Sequence, residues 1–194
     1  MRDGPSRPTP TETPRPAPTP RSAWPALALA TALAMLPLAA GAEDAGPGAA
    51  AARQIDDSAA LAGVEATKSV FLIDFTNAKK TAFYLDVIRG THAGLVRQGV
   101  TPNMVLVFIG QTVQYLTTEP TDELEMEFGD ELASIALSAK ALKEAGVRME
   151  VCAVATDVFG VKNATVLPEM DVVGDGFISL IGWQTQGHKL VPIF

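Results

Sequence analysis

A three-layer α/β/α domain on a mainly parallel sheet of about five strands is what the sequence predicts for residues 67–194. Three observations carry that expectation: short unbroken apolar runs recur along the chain, amphipathic stretches at helical spacing separate them, and glycines stand where those stretches stop. Strands covered on both faces read as continuous apolar runs, and parallel neighbours need a crossover long enough for a helix.

The first run, KSVFLID at residues 68–74, is a strand by this criterion, ending at Asp74 with Thr76 and Asn77 close behind. Ala82, Leu85, Ile88, His92 and Leu95 then recur three or four residues apart, predicting a helix that Gly99 closes. NMVLVFI at 103–109 is the second strand, stopped by Gly110. Residues 111–130 are less regular, and the acidic TDELEMEF within them is expected as a solvated face. From Glu131 a helix is predicted through Leu132, Ile135 and Leu142 to Gly146, followed by a third strand at 147–154 that ends near Cys152. The rhythm repeats in miniature with a turn at Leu167-Pro168, a strand at 171–173, a helix over 175–186 and a last strand at 190–194. Pro192 has no amide proton for a ladder, so this last strand belongs at an edge or is only partly paired.

Upstream of the domain the composition changes twice. Residues 1–22 are crowded with proline and carry Arg2, Arg7, Arg15 and Arg21, so they have almost nothing to bury. The uncharged Ala/Leu-rich stretch 24–40 follows, and Ala40-Gly41-Ala42 supplies small residues of the type cut by signal peptidase. A basic leader, an apolar stretch and such a site predict a signal peptide over 1–42 and a periplasmic destination. An uncleaved anchor is the competing reading, opposed by Pro37 within the stretch. Residues 43–66, rich in Ala, Gly and acid, are expected as a flexible linker.

Of the 15 Lys and Arg and 22 Asp and Glu, residues 1–42 hold four and two, so the remainder carries 11 basic and 20 acidic residues, a formal charge of −9. Such a surface repels phosphate backbones and anionic lipid, which argues against nucleic acid as a partner and against stable membrane insertion once the signal is removed. No glycine-rich phosphate loop appears, and two histidines with one cysteine, far apart, do not make a zinc pattern; neither metal nor cofactor is expected.

The single cysteine, Cys152, draws attention because an exported chain with one thiol can form no internal disulfide. It stands near the carboxyl end of a predicted strand, where α/β proteins gather ligands, and the segment after it is expected to start a short helix capped by Thr156 or Asp157. A thiolate near a helix N-terminus is a nucleophile toward electrophilic sulfur. The bland alternative is a cysteine serving as a small apolar filler in a strand. Asp74, at the end of the first strand, Gln111, Thr156 and Asp157 are the pocket candidates; for Asp74 the alternative is a cap on the next helix. His92 and His188 read as a helix-face and a loop residue, and Trp183 as packing.

The phrase MEVCAVATDVFGV, the following NATVLPEMDVVGDGFISLIGWQTQGHKLVPIF, and the VFLIDF and VLVFIG strands resemble the DsrE/DsrF-like sulfur-relay family over nearly all of residues 69–194. The resemblance implies a small α/β domain on a parallel sheet and assembly into trimers or hexamers. It also implies that Cys152, in VCAVA, carries sulfur as a persulfide, received from a donor protein or passed to an acceptor. Two departures set the sequence apart from cytoplasmic members: the export signal, and Asp157-Val158-Phe159-Gly160 where some members have a basic, glycine-rich stretch. The likeness is closest to an exported branch. The reading is therefore a periplasmic persulfide carrier or sulfurtransferase; the alternative is a non-catalytic oligomeric binding module with Cys152 buried as structure.

Overall fold

A computed structural model describes residues 55–194. Its five strands are β1 (Ala66–Ile73), β2 (Thr101–Phe108), β3 (Arg148–Cys152), β4 (Asp171–Val173) and β5 (Lys189–Ile193). Every pairing is parallel, in the order β4-β3-β2-β1-β5. Four helices alternate with them: α1 (Ala78–Arg97), α2 (Asp122–Glu144), α3 (Ala153–Val158) and α4 (Gly176–Thr185). The predicted three-layer α/β/α architecture is the one found.

Right-handed crossovers explain which helix lies where. From β1 to β2, β3 and β4 the chain steps in one direction across the sheet, which puts the connecting helices on a single face. The step from β4 to β5 runs the opposite way, past β1, and carries α4 to the other face. The two cores follow this division. On the α1/α2 side Phe71, Ile73, Leu106, Phe108, Met149 and Val151 meet Leu85, Ile88, Ile135 and Leu142. On the α4 side Val70, Val105 and Val107 meet Leu180, with Trp183 at the margin. Alternate residues of one strand thus serve opposite layers. The β5 strand lies at one edge, where the missing amide proton of Pro192 is tolerated.

Three boundaries differ from the sequence reading. Helix α2 starts at Asp122, not Glu131, with the Thr121 hydroxyl accepting from Leu124 N at 3.3 Å. Its acidic first turn suits the positive end of the helix dipole, and non-helical angles at Phe128 (φ −131°, ψ 22°) join this opening segment to the rest. The TDELEMEF stretch is not only a solvated face, because Leu124 and Phe128 pack on the core. Near the amino end, the described residues 55–65 of the stretch expected as linker make hydrogen bonds to the domain. Asp57 N donates to Gln98 Oε1 (3.1 Å), Thr101 N donates to Glu65 O (2.9 Å), and β1 begins at Ala66. Finally, the helix after Cys152 begins at once, at Ala153, so Cys152 itself occupies the N-cap position (φ −72°, ψ 118°) and neither Thr156 nor Asp157 is a cap. The leader, the apolar stretch and the cleavage site predicted at 1–42 lie outside the described residues.

Candidate functional site

The site forms where β1, β2 and β3 end together at the carboxyl edge of the sheet. Val173 of β4 pairs with Cys152 in register, so the turn leaving β4 returns directly over the cysteine. Asp175 caps α4 there, its Oδ1 accepting from Phe177 N at 2.8 Å. The amide of Gly176, the first residue of α4, donates to Cys152 Sγ at 3.2 Å. A helix of ten residues therefore delivers one of its unpaired N-terminal N–H groups to the sulfur.

Contact this close requires glycine. A β-carbon at position 176 would lie 2.7 Å from Ile109 Cγ2 and 3.1 Å from Cys152 Cβ. A second glycine sets the opposite wall. Gly110 turns out of β2 with φ +57°, and a β-carbon there would sit 2.2 Å from Asp74 Oδ1. The Asp74 carboxylate can lie against β2 only because that side chain is missing.

These residues border a cleft of about 320 Å³. Its walls are Ile109, Val154, Ala155, Val158, Phe159 and Phe177, and its charged groups are Asp74 and Asp175. Among the described residues no lysine, arginine or histidine lines it. Cys152 is 5% exposed, at the floor of the cleft. The arrangement is a recessed thiol, one amide donor aimed at its sulfur, apolar walls and two carboxylates in the lining.

Two of the residues singled out from sequence, Cys152 and Asp74, come together in this cleft. Asp74 is not a helix cap; Asn77 caps α1, accepting from Lys80 N at 3.1 Å. The other candidates lie elsewhere. Gln111 Nε2 is 3.4 Å from Tyr115 Oη, and Gln111 does not line the cleft. Thr156 is buried inside α3, its hydroxyl 2.9 Å from Ala153 O and 2.6 Å from Asn163 Oδ1. Asp157 is exposed on α3 and does not line the cleft. His188 is buried near the amino ends of the strands, against Trp183 O and Asn103 Oδ1, and His92 is half-buried on α1.

Asp175, Gly176 and Phe177 are the residues that sequence reading missed. An Asp-Gly pair opening an apolar helix was visible as a cap. What tied it to Cys152 was the placement of β4 beside β3, which local spacing does not reveal. Among the described residues no cluster of side chains could hold a metal ion, and no helix is long and apolar enough to cross a membrane.

A parallel α/β/α sandwich with its only cysteine in a cleft at the carboxyl edge is the class of protein these features define. A family model described as DsrE/DsrF-like matches residues 45–193, and the chain belongs to that family. Among solved structures, a protein of unknown function, MTH1491 from Methanobacterium thermoautotrophicum, is similar with 19% identity and a TM-score of 0.52, over 66% of this chain and 99% of that one. The ychN protein from E. coli matches with 14% identity and a TM-score of 0.47, over 66% and 99%. At 19% identity the likeness to MTH1491 concerns the fold alone. No curated protein matches the chain significantly.

Proposed function

We propose that the chain is an exported sulfur carrier in which Cys152 holds sulfur as a persulfide and hands it to an acceptor thiol. The observation that carries this reading is the Gly176 N–H on Cys152 Sγ at the floor of an open cleft. An amide placed this way favours negative charge on sulfur, and the thiolate is the nucleophile in sulfur exchange. In the loading step Cys152 thiolate attacks the outer sulfur of a protonated persulfide, R–S–SH. The Cys–S–SH bond forms, the R–S–S bond breaks at its centre, and the electron pair leaves on R–S⁻. The donor's inner sulfur is reduced to thiolate and the cysteine sulfur oxidised, so no other reactant is needed. Delivery is the same exchange in reverse, with an acceptor thiolate attacking the outer sulfur.

Membership of the DsrE/DsrF-like family supports the reading, and the signal-like sequence of residues 1–42 supports a periplasmic setting. We also infer self-association. Phe177, Ile178 and Ile181 are 60–69% exposed along the outer side of α4, and a second copy is the occupant that the family resemblance suggests for that side.

Incubation of the folded protein with an organic persulfide donor, followed by intact mass spectrometry, tests the carrier. A gain of about 32 Da, removed by dithiothreitol and missing in Cys152→Ser, is expected. The 5% exposure of Cys152 favours a second reading, a binding module whose cysteine is only structural. That reading predicts no added sulfur and native-state thiol modification no faster than global unfolding.

A further inference from the structure

We propose that the Cys152 cleft is a charge filter: it admits uncharged or cationic organic sulfur carriers and turns away free sulfur anions such as thiosulfate and inorganic polysulfide. The inference rests on the carrier reading above and adds the chemical class of the donor.

Its grounds are the composition of the walls. Among the described residues Asp74 and Asp175 supply the charge of the lining, and no basic side chain answers them. The Asp74 carboxylate lies close against the backbone at Gly110, Asp175 is fixed by its bond to Phe177 N, and both residues are half-buried. The remaining wall is aliphatic or aromatic, from Ile109, Val154, Val158, Phe159 and Phe177. Clefts of one sign with low-dielectric walls focus the field, which acts on whatever approaches the floor. A doubly charged donor must share the cleft with both carboxylates and meet a sulfur that is itself anionic when reactive. One amide, from Gly176, already engaged by Cys152 Sγ, offers little compensation.

The same field suits an organic persulfide. Only its protonated form R–S–SH is electrophilic at the outer sulfur, and two nearby carboxylates favor that uncharged form over R–S–S⁻. The apolar walls then accept the carbon body R. The cleft thereby selects both the carrier and its reactive protonation state.

Three methanethiosulfonates of similar size test the filter: the hydroxyethyl, sulfonatoethyl and trimethylammonioethyl reagents. Each transfers its thioalkyl group to the cysteine sulfur and releases methanesulfinate, so one chemistry reports on three charges. Rates are measured by mass spectrometry on the full folded chain at low salt, and each is divided by the rate on the urea-unfolded chain. The cationic reagent is expected to exceed the anionic one by about tenfold in this normalised ratio, with the gap shrinking severalfold in high salt. Asp74→Asn and Asp175→Asn should each narrow it; asparagine keeps the shape at 74 and remains a good cap at 175. A normalised ratio near one, or a ratio unchanged in both variants, overturns the filter while leaving the carrier intact if the neutral reagent reacts. If the neutral reagent is also blocked in the folded chain, the carrier reading falls and the filter with it.

Discussion

The side chain that Gly176 lacks is the space in which α4 reaches the cysteine. Gly176→Ala would press a methyl against Ile109 Cγ2 and Cys152 Cβ, and overpacking of this kind typically destabilises by about 1–3 kcal/mol. Urea unfolding should register that loss, and the neutral thiol reagent should react with altered rate because the amide is pushed from the sulfur. Gly110→Ala meets a different obstacle. A left-handed backbone (φ +57°) and the Asp74 carboxylate both resist the new β-carbon, so a loss of at least about 1 kcal/mol is expected. Tyr115 offers a check remote from the cleft. Burial is the main cause that pushes its phenol above the ordinary tyrosine value, opposed by the bond from Gln111. The unfolded chain then ionises at this residue first, so its contribution to stability is whole below about pH 10 and declines as pH rises toward the folded value. Absorbance titration of the wild type against Tyr115→Phe should show a late phenolate step that the variant lacks. Cys152 and Asp74 were legible in the sequence because each stands at the end of an apolar run. Asp175 and Gly176 were not, because their meaning depends on which strand lies beside β3.

Among the elements, α4 is held by a buried carboxylate. Glu150, 3% exposed on β3, accepts from Arg148 Nε (2.6 Å), from Trp183 Nε1 (3.1 Å) and from the Ser179 hydroxyl. Arg148 also reaches Asp171 of β4 at 3.2 Å and lies 5.8 Å from the Trp183 ring centre. Glu150→Ala leaves two buried or half-buried donors without their acceptor, and a loss of about 2–4 kcal/mol is expected. Hydrogen exchange should find the weakening concentrated in α4 amides, with α1 and α2 following only the global change. In α2, by contrast, the first turns escaped the sequence reading. Four acids within TDELEMEF mask the apolar positions Leu124, Phe128 and Leu132, which are four residues apart and face the core. The strands were easier to read, since a parallel sheet covered on both faces spells them as unbroken apolar runs.

At the scale of the whole molecule, the two faces of the sheet are unequally clothed. Helices α1 and α2 cover one face with long apolar stripes, whereas the short α4 covers the other and leaves Phe177, Ile178 and Ile181 outward. If α4 is where copies meet, Ile181→Lys should lower the sedimentation coefficient to that of a monomer with an unchanged circular dichroism spectrum. An unchanged assembly would remove α4 from the interface. The sheet order itself was out of reach of sequence spacing. Alternation of strands and helices fixes the layers, but the return of β5 to the far side of β1 is a long-range choice made by packing.

The two margins of the sheet have a consequence for behaviour in concentrated solution. At one end β4 offers a ribbon of three residues, and at the other Pro192 interrupts the row of amide protons along β5. An extended foreign chain laid along either margin finds no continuous template, so growth into filaments by strand addition is blocked at both ends. Prolonged incubation at high concentration should leave thioflavin fluorescence flat, and Pro192→Val, which restores the missing proton, is the change most apt to raise it.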